Sequence, residues 1–181
     1  KRVGLMAMAA ATQATVCSVS FTFAHGLTYG DSITFSGVGG MTALNGNTYQ
    51  VEPYTVSDVY LLNSSGTAYI NSTGFGAFTS GGGATFVGFT NSWATESGFD
   101  TKFFKTAGGI VQLQGVVSGG GAATSAFTLP ALYRPAVNRH FICANVGTGG
   151  QVFLTVTSAG LVIPNEAVIT GLCGVSFLAE Q

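Results

Sequence analysis

Few residues in this chain could do chemistry. The acidic ones are Asp31, Glu52, Asp58, Glu96, Asp100, Glu166 and Glu180. A glycosidase needs two carboxyl groups facing each other across a cleft. Only Glu96 and Asp100 lie close in sequence, and the aromatic residues beside them are Trp93 and Phe99 alone. A long β-helix that cleaves polysaccharide would need more length and a repeat, and neither is present. His25 and His140 are far apart and have no ligand spacing, so His25 reads as a turn residue bonding backbone. There is no Gly-x-Ser-x-Gly elbow. The glycine runs 81–83 and 119–121 lack the lysine and following helix of a phosphate loop, and read as flexible turns. Cys17, Cys143 and Cys173 are odd in number with no Cys-x-x-Cys, which excludes a disulfide framework or that type of metal site. Cys17 and Cys143 sit in apolar runs and read as small buried hydrophobes. Spacing gives no support to a Cys143–Cys173 bridge. The expectation is a protein with no catalytic residues, no metal and no cofactor.

Two residues could bind rather than react. Trp93, the single tryptophan, could stack on a sugar ring, but burial in a core or at a subunit junction is the expected role. Arg134, between Tyr133 and Pro135, is expected to pack its stem and bond carbonyls or a neighbouring chain. Trp93, Tyr133 and Arg134 are therefore read as structural or intersubunit residues.

Charge sets the context. Only 7% of the 181 residues are charged and the net charge is −1, against about 25% charged in an ordinary soluble domain. There is no basic field for nucleic acid or anionic lipid. No apolar run reaches the ~18 residues of a transmembrane helix. With 46% hydrophobic residues, a core can form. So few charges fit an obligate oligomer, an extracellular β protein with a Ser/Thr/Gly surface, or both. Lys1-Arg2 and the apolar residues 3–11 mimic a short leader, but a trimmed or fragment start is the favoured reading.

The elements that must position these residues read as strands. Cys17, Val19, Phe21 and Phe23 alternate with polar residues, as do Ile33 and Phe35. A turn is expected at residues 25–31. Asn45-Gly46 is a tight-turn signal, because both residues tolerate positive φ. Tyr49–Val51 and Val59–Leu62 follow as strands, then a Ser/Gly/Thr-rich loop with one short strand over 64–83. Beyond it come candidates at Phe103-Phe104, Ile110–Val117, Phe127–Leu129, Phe141–Val146, Val152–Thr157, Leu161–Ile163 and Leu172–Leu178. The spacing suggests a β-sandwich or barrel. Composition shifts after Gly83: 5 charged residues lie in 1–86 and 8 in 87–181. Two domains are expected, 1–86 and 87–181.

His25-Gly26-Leu27, Gly30–Gly37 and Gly40–Val51, through to Thr79–Gly82, resemble a small β module of bacteriophage tail proteins. That module is similar to a β-barrel half-domain of ubiquitin-activating enzymes, which implies a fold and not ubiquitin chemistry. The resemblance covers about residues 10–85. Trp93, Lys105, Gly108–Gly115, Phe127–Pro130, Tyr133-Arg134-Pro135 and Leu172–Phe177 resemble the C-terminal head domain of phage tail fibres. Leu132, Ile169 and Cys173 depart from that pattern, which has Gly, an aromatic and Asp at those places.

The resemblance implies an all-β chain: a small N-terminal β-barrel-like module serving as connector, then a C-terminal β-sandwich assembling as a trimer. The implied function is adhesion, as a tail fibre or receptor-binding subunit in the virion. Its partners would be its own copies, other virion proteins, and a bacterial surface glycan or outer-membrane receptor. Receptor contacts are expected in exposed loops, with Gly119, Gly120, Gly121, Thr148 and Gly149 as candidates. The second reading is a structural virion component without a receptor. A glycan-cleaving enzyme is the weakest.

Overall fold

The computed structural model describes residues 1–179, so Glu180 lies outside the described residues. The chain forms two compact units. One holds Lys1 and residues 5–86; the other holds Arg2–Gly4 and the residues from Val87 onward.

The first unit is a closed barrel. Its strands are β1 (Leu5–Ala11), β2 (Ser18–Phe21), β3 (Ser32–Ser36), β4 (Thr48–Pro53), β5 (Asp58–Leu62) and β6 (Gly83–Thr85). Around the barrel they run β1-β2-β5-β4-β3-β6, every neighbouring pair antiparallel. Closure removes the free sheet edge that would otherwise recruit another strand. Strict alternation fixes which side faces in: Ile33 and Phe35 are fully buried while Ser32, Thr34 and Ser36 are exposed. Met6, Val19, Phe35, Val51 and Leu61 meet in the core. Tyr49 sets its ring edge-on to Phe35 at 5.8 Å.

The leader-like stretch at the start is a barrel strand. Residues 5–11 are β1, with Met6 and Met8 buried, and a bulge between Met8 and Ala10 in its pairing with β2. Small alanines give β1 little apolar–polar contrast, so its period was hidden. Asn45-Gly46 forms the expected tight turn, closed by Asn47 N–H donating to Leu44 O at 3.2 Å, but with a different backbone shape. Only Gly46 takes positive φ (76°); Asn45 is extended at φ −61°. Its amide is used elsewhere: Oδ1 accepts from Val38 N–H at 2.8 Å and Nδ2 donates to Val38 O at 3.0 Å.

The second unit spreads its strands over three sheets. They are built from β7 (Ala94–Thr95), β8 (Lys102–Lys105), β9 (Ile110–Gln114), β10 (Val116–Ser118), β11 (Phe127–Thr128), β12 (Arg139–Ala144), β13 (Gln151–Val156), β14 (Leu161–Pro164), β15 (Thr170–Gly171) and β16 (Ser176–Leu178). The orders are β15-β10-β7, β11-β14-β13-β12 and β16-β9-β8. The run 110–117 reads as one strand in sequence. Gly115 divides it into β9 and β10, which serve different sheets. Phe103, Leu113, Phe127, Leu154 and Leu172 are buried in this unit. The chain is thus all-β, with a small barrel first and several sheets after it.

Candidate functional site

The loop candidates lie in two places, and they offer little side-chain chemistry. Gly119 and Gly121 are exposed, while Gly120 is half-buried. A Cβ at Gly120 would sit 2.1 Å from the Trp93 indole. The loop therefore needs glycine there so that Trp93 can be covered. Trp93 is buried, and its Nε1 donates to Thr124 Oγ1 at 3.0 Å. Thr124 in turn donates to Gly121 O at 2.6 Å. Backbone strain collects at this corner: Asn91, Ser92 and Ala123 all take positive φ. Such residues cost about 1–3 kcal/mol each. Asn91 Nδ2 donates to Ser125 O at 2.9 Å and Ala123 N–H to Pro164 O at 3.0 Å, which holds the corner in place.

Thr148 and Gly149 lie in the exposed hairpin between β12 and β13. Buried Asn145 organises it, its Oδ1 accepting from Gly147 N–H at 3.1 Å and Thr148 N–H at 3.2 Å. Tyr133 packs edge-on to Phe103 at 5.0 Å. Lys105 Nζ lies 5.4 Å from the centre of the Tyr133 ring and donates to Leu132 O at 2.6 Å. Arg134 donates from Nε to Leu129 O at 2.8 Å. These contacts are all within one chain.

The groups weighed for catalysis remain scattered. Among the described residues no three of His, Cys, Asp and Glu gather to hold a metal ion. The cysteines are free: Cys17 and Cys143 buried, Cys173 exposed. Burial pushes the Cys143 thiol up to about 11. Cys17 is raised by burial too, partly offset by a hydrogen bond from Ser72. His25 is 2% exposed, and its Nδ1 accepts from Leu27 N–H at 2.8 Å. The imidazole proton then sits on Nε2, which has no hydrogen-bond partner at ordinary geometry. Burial lowers the His25 pKa, outweighing the nearby backbone of Asp58 and Thr55, which favours the charged form.

Sequence reasoning missed a group of tyrosines on the barrel. Glu52 on β4 pairs across to Tyr60 on β5, and Leu62 bridges to Tyr69. This places Tyr54, Tyr60 and Tyr69 together. Tyr54 and Tyr60 stack with centroids 4.2 Å apart and planes at 17°. Tyr69 stands edge-on to Tyr60 at 5.9 Å. The Tyr69 hydroxyl donates to Glu52 Oε2 at 2.5 Å, and this hydrogen bond is the main cause raising the phenol's pKa. Tyr54 is 46% exposed and Tyr69 45%. Tyr54 also lines a depression of about 490 Å³ with Ala24, His25, Leu27, Pro53 and Val56. The signal in the sequence was Tyr54 and Tyr60 flanking the Thr55–Asp58 turn. That turn is closed by Thr55 Oγ1 donating to Asp58 Oδ2 at 2.6 Å.

Residues 12–87 match the family model of the ubiquitin-activating enzyme E1 FCCH domain. That stretch holds β2 through β6 of the barrel. Among solved structures, the chain is similar to the receptor binding protein (gp15) of Listeria phage PSA. The identity is 20% and the TM-score 0.45, over 52% of this chain and 63% of that one. The chain therefore spans less than two thirds of the length of the phage protein. No curated protein matches it.

Proposed function

We propose that this chain is a bacteriophage tail-fibre or receptor-binding subunit, a homotrimer in the virion that adheres to the host cell surface through glycan. The reading is adhesion and not catalysis. The observation that carries it is the outward face of β12 and β13. Ile142 and Phe153 are direct cross-strand partners there, 63% and 58% exposed. β12 is also the last strand of its sheet. An edge strand in a monomer is normally guarded by charge, proline or a bulge. Arg139 opens this strand and Asn145 just beyond it bridges to Thr170, but Phe141 to Ala144 carry no charge or proline. Copies of the chain covering this face would account for exposed apolar groups in a sequence with only 7% charge. The tail-fibre pattern around Phe127–Pro130 and Tyr133–Pro135 supports the same reading. Three weak sites on one particle would gain avidity through effective concentration.

Light scattering after size exclusion tests the architecture. The expected mass is three times 18.4 kDa, and a monomer at micromolar concentration would sink it. Labelled protein should then bind susceptible cells and block infection. A trimer that does neither would instead be a structural virion component, the second reading.

A further inference from the structure

We infer that the barrel carries a carbohydrate site of its own, centred on Tyr54, that takes the ring of an uncharged sugar. The site lies in the unit that the adhesion reading treats as a connector, so it stands apart from the loop candidates of the second unit.

Three observations converge on it. The first is an aromatic platform. Tyr54 gives one face to Tyr60 and is still 46% exposed. The face of an aromatic ring is negative, and the axial C–H groups of a pyranose are weakly positive and lie together on one side. A ring clamped by a stacked neighbour offers that face without losing rotamer freedom on binding.

The second is a concave wall. The depression beside Tyr54 is mostly apolar, and its volume lies within the ordinary range for ligand pockets, about 300–1,000 Å³. The lining residue His25 is 2% exposed, its Nε2 buried beside the backbone of Asp58 and Thr55. With Nδ1 already accepting from Leu27, the ring is fixed in place and gives the wall a rigid face.

The third is charge. Glu52 accepts one hydrogen bond from Tyr69 and keeps further acceptor sites for sugar hydroxyls. The unit's charged residues are Lys1 against Asp31, Glu52 and Asp58, a formal −2. Lys1 is already engaged, 2.6 Å from Asp31. A phosphate or uronate would meet net negative charge with the unit's one lysine, beside Gly26, already paired to Asp31, whereas a neutral hexose would meet only acceptors and aromatic faces.

Saturation-transfer NMR on the full chain tests this. The probes are the methyl glycosides of glucose, galactose, mannose, rhamnose and N-acetylglucosamine, with glucuronic acid as the anionic comparator. At least one neutral glycoside should bind, and glucuronic acid should not. Tyr54→Ala should weaken binding by about tenfold, or ~1.4 kcal/mol. Tyr54→Phe, which keeps the ring, should stay within about twofold. If Tyr54→Ala does not fold, Glu52→Gln and Tyr69→Phe carry the test, and each should weaken binding severalfold. The inference fails if no neutral glycoside binds, if glucuronic acid binds as well as they do, or if wild-type binding survives every variant. Cell labelling by the wild type reads the adhesion proposal separately: cells labelled without binding of the panel would sink the barrel site and leave adhesion standing.

Discussion

The three cysteines divide into two that are buried and one that meets solvent and reagents. A thiolate is the reactive form, and burial holds Cys143 at about 11 and raises Cys17, so neither ionises near neutral pH. Cys173 is exposed. A thiol reagent at pH 8 should therefore modify one cysteine per folded chain, with the other two reacting only in denaturant. Peptide mapping that found Cys17 or Cys143 labelled first would contradict the burial. His25 has the clearer consequence for stability. Its folded pKa lies below its unfolded value of about 6.5. Its contribution is then fully present above that pH and falls as the pH drops below it, because the unfolded chain takes up the proton first. Asp58, held low by hydrogen bonds from Ser20 and Thr55, works in the same direction but only near pH 4 and below. Wild type should lose urea resistance between pH 7.5 and 5.5. His25→Asn keeps an acceptor for Leu27 N–H in the manner of an Asx turn, and its unfolding midpoint should be flatter over that window. Equal slopes for the two proteins would remove His25 as the titrating group.

Between residue and molecule, the corner made by Trp93 and the 119–124 loop shows what an element demands of its sequence. The indole is covered by backbone at Gly120, and a methyl group there has nowhere to go. Gly120→Ala should cost about 2–3 kcal/mol, the usual scale of overpacking. It should also shift the emission of the single tryptophan to longer wavelength; an unshifted spectrum with unchanged stability would mean the loop moves freely. Reading Gly119-Gly120-Gly121 as a flexible turn found the loop but not its partner, since a close approach between distant residues leaves no local pattern. The strands were legible where a polar face alternates with a buried one, as at Ser32–Ser36. They were hidden where both sides are small, as in β1, and the Gly115 break was masked by continuous hydrophobicity. The tyrosine platform was illegible for a different reason. Tyr54 and Tyr60 flank one turn, but Tyr69 joins them only because the chain returns to bridge Leu62, and no spacing rule encodes that return.

For the whole molecule, scarce charge is the property that most needs a physical cause. A chain with 13 charged residues has little electrostatic repulsion to keep copies apart. The barrel closes on itself around its core yet leaves Leu5 and Val56 exposed, and the second unit exposes Leu132, Val137, Ile142, Val146 and Phe153. If copies of the chain cover β12 and β13, removing the apolar pair should uncouple assembly from folding. Ile142 and Phe153 point out of their own unit, so replacing them takes little from its core. Ile142→Ser with Phe153→Ser should keep the β-sheet circular dichroism and a cooperative melt, yet elute as a monomer at concentrations where the wild type is three times heavier. Contacts at the centre of an interface cost about 2 kcal/mol or more each when truncated, enough for two of them to lower self-association by roughly a thousandfold. A double variant that stays trimeric would place the interface on another face. One that loses both assembly and its melt would show that the second unit cannot fold without its copies, as obligate oligomers often cannot.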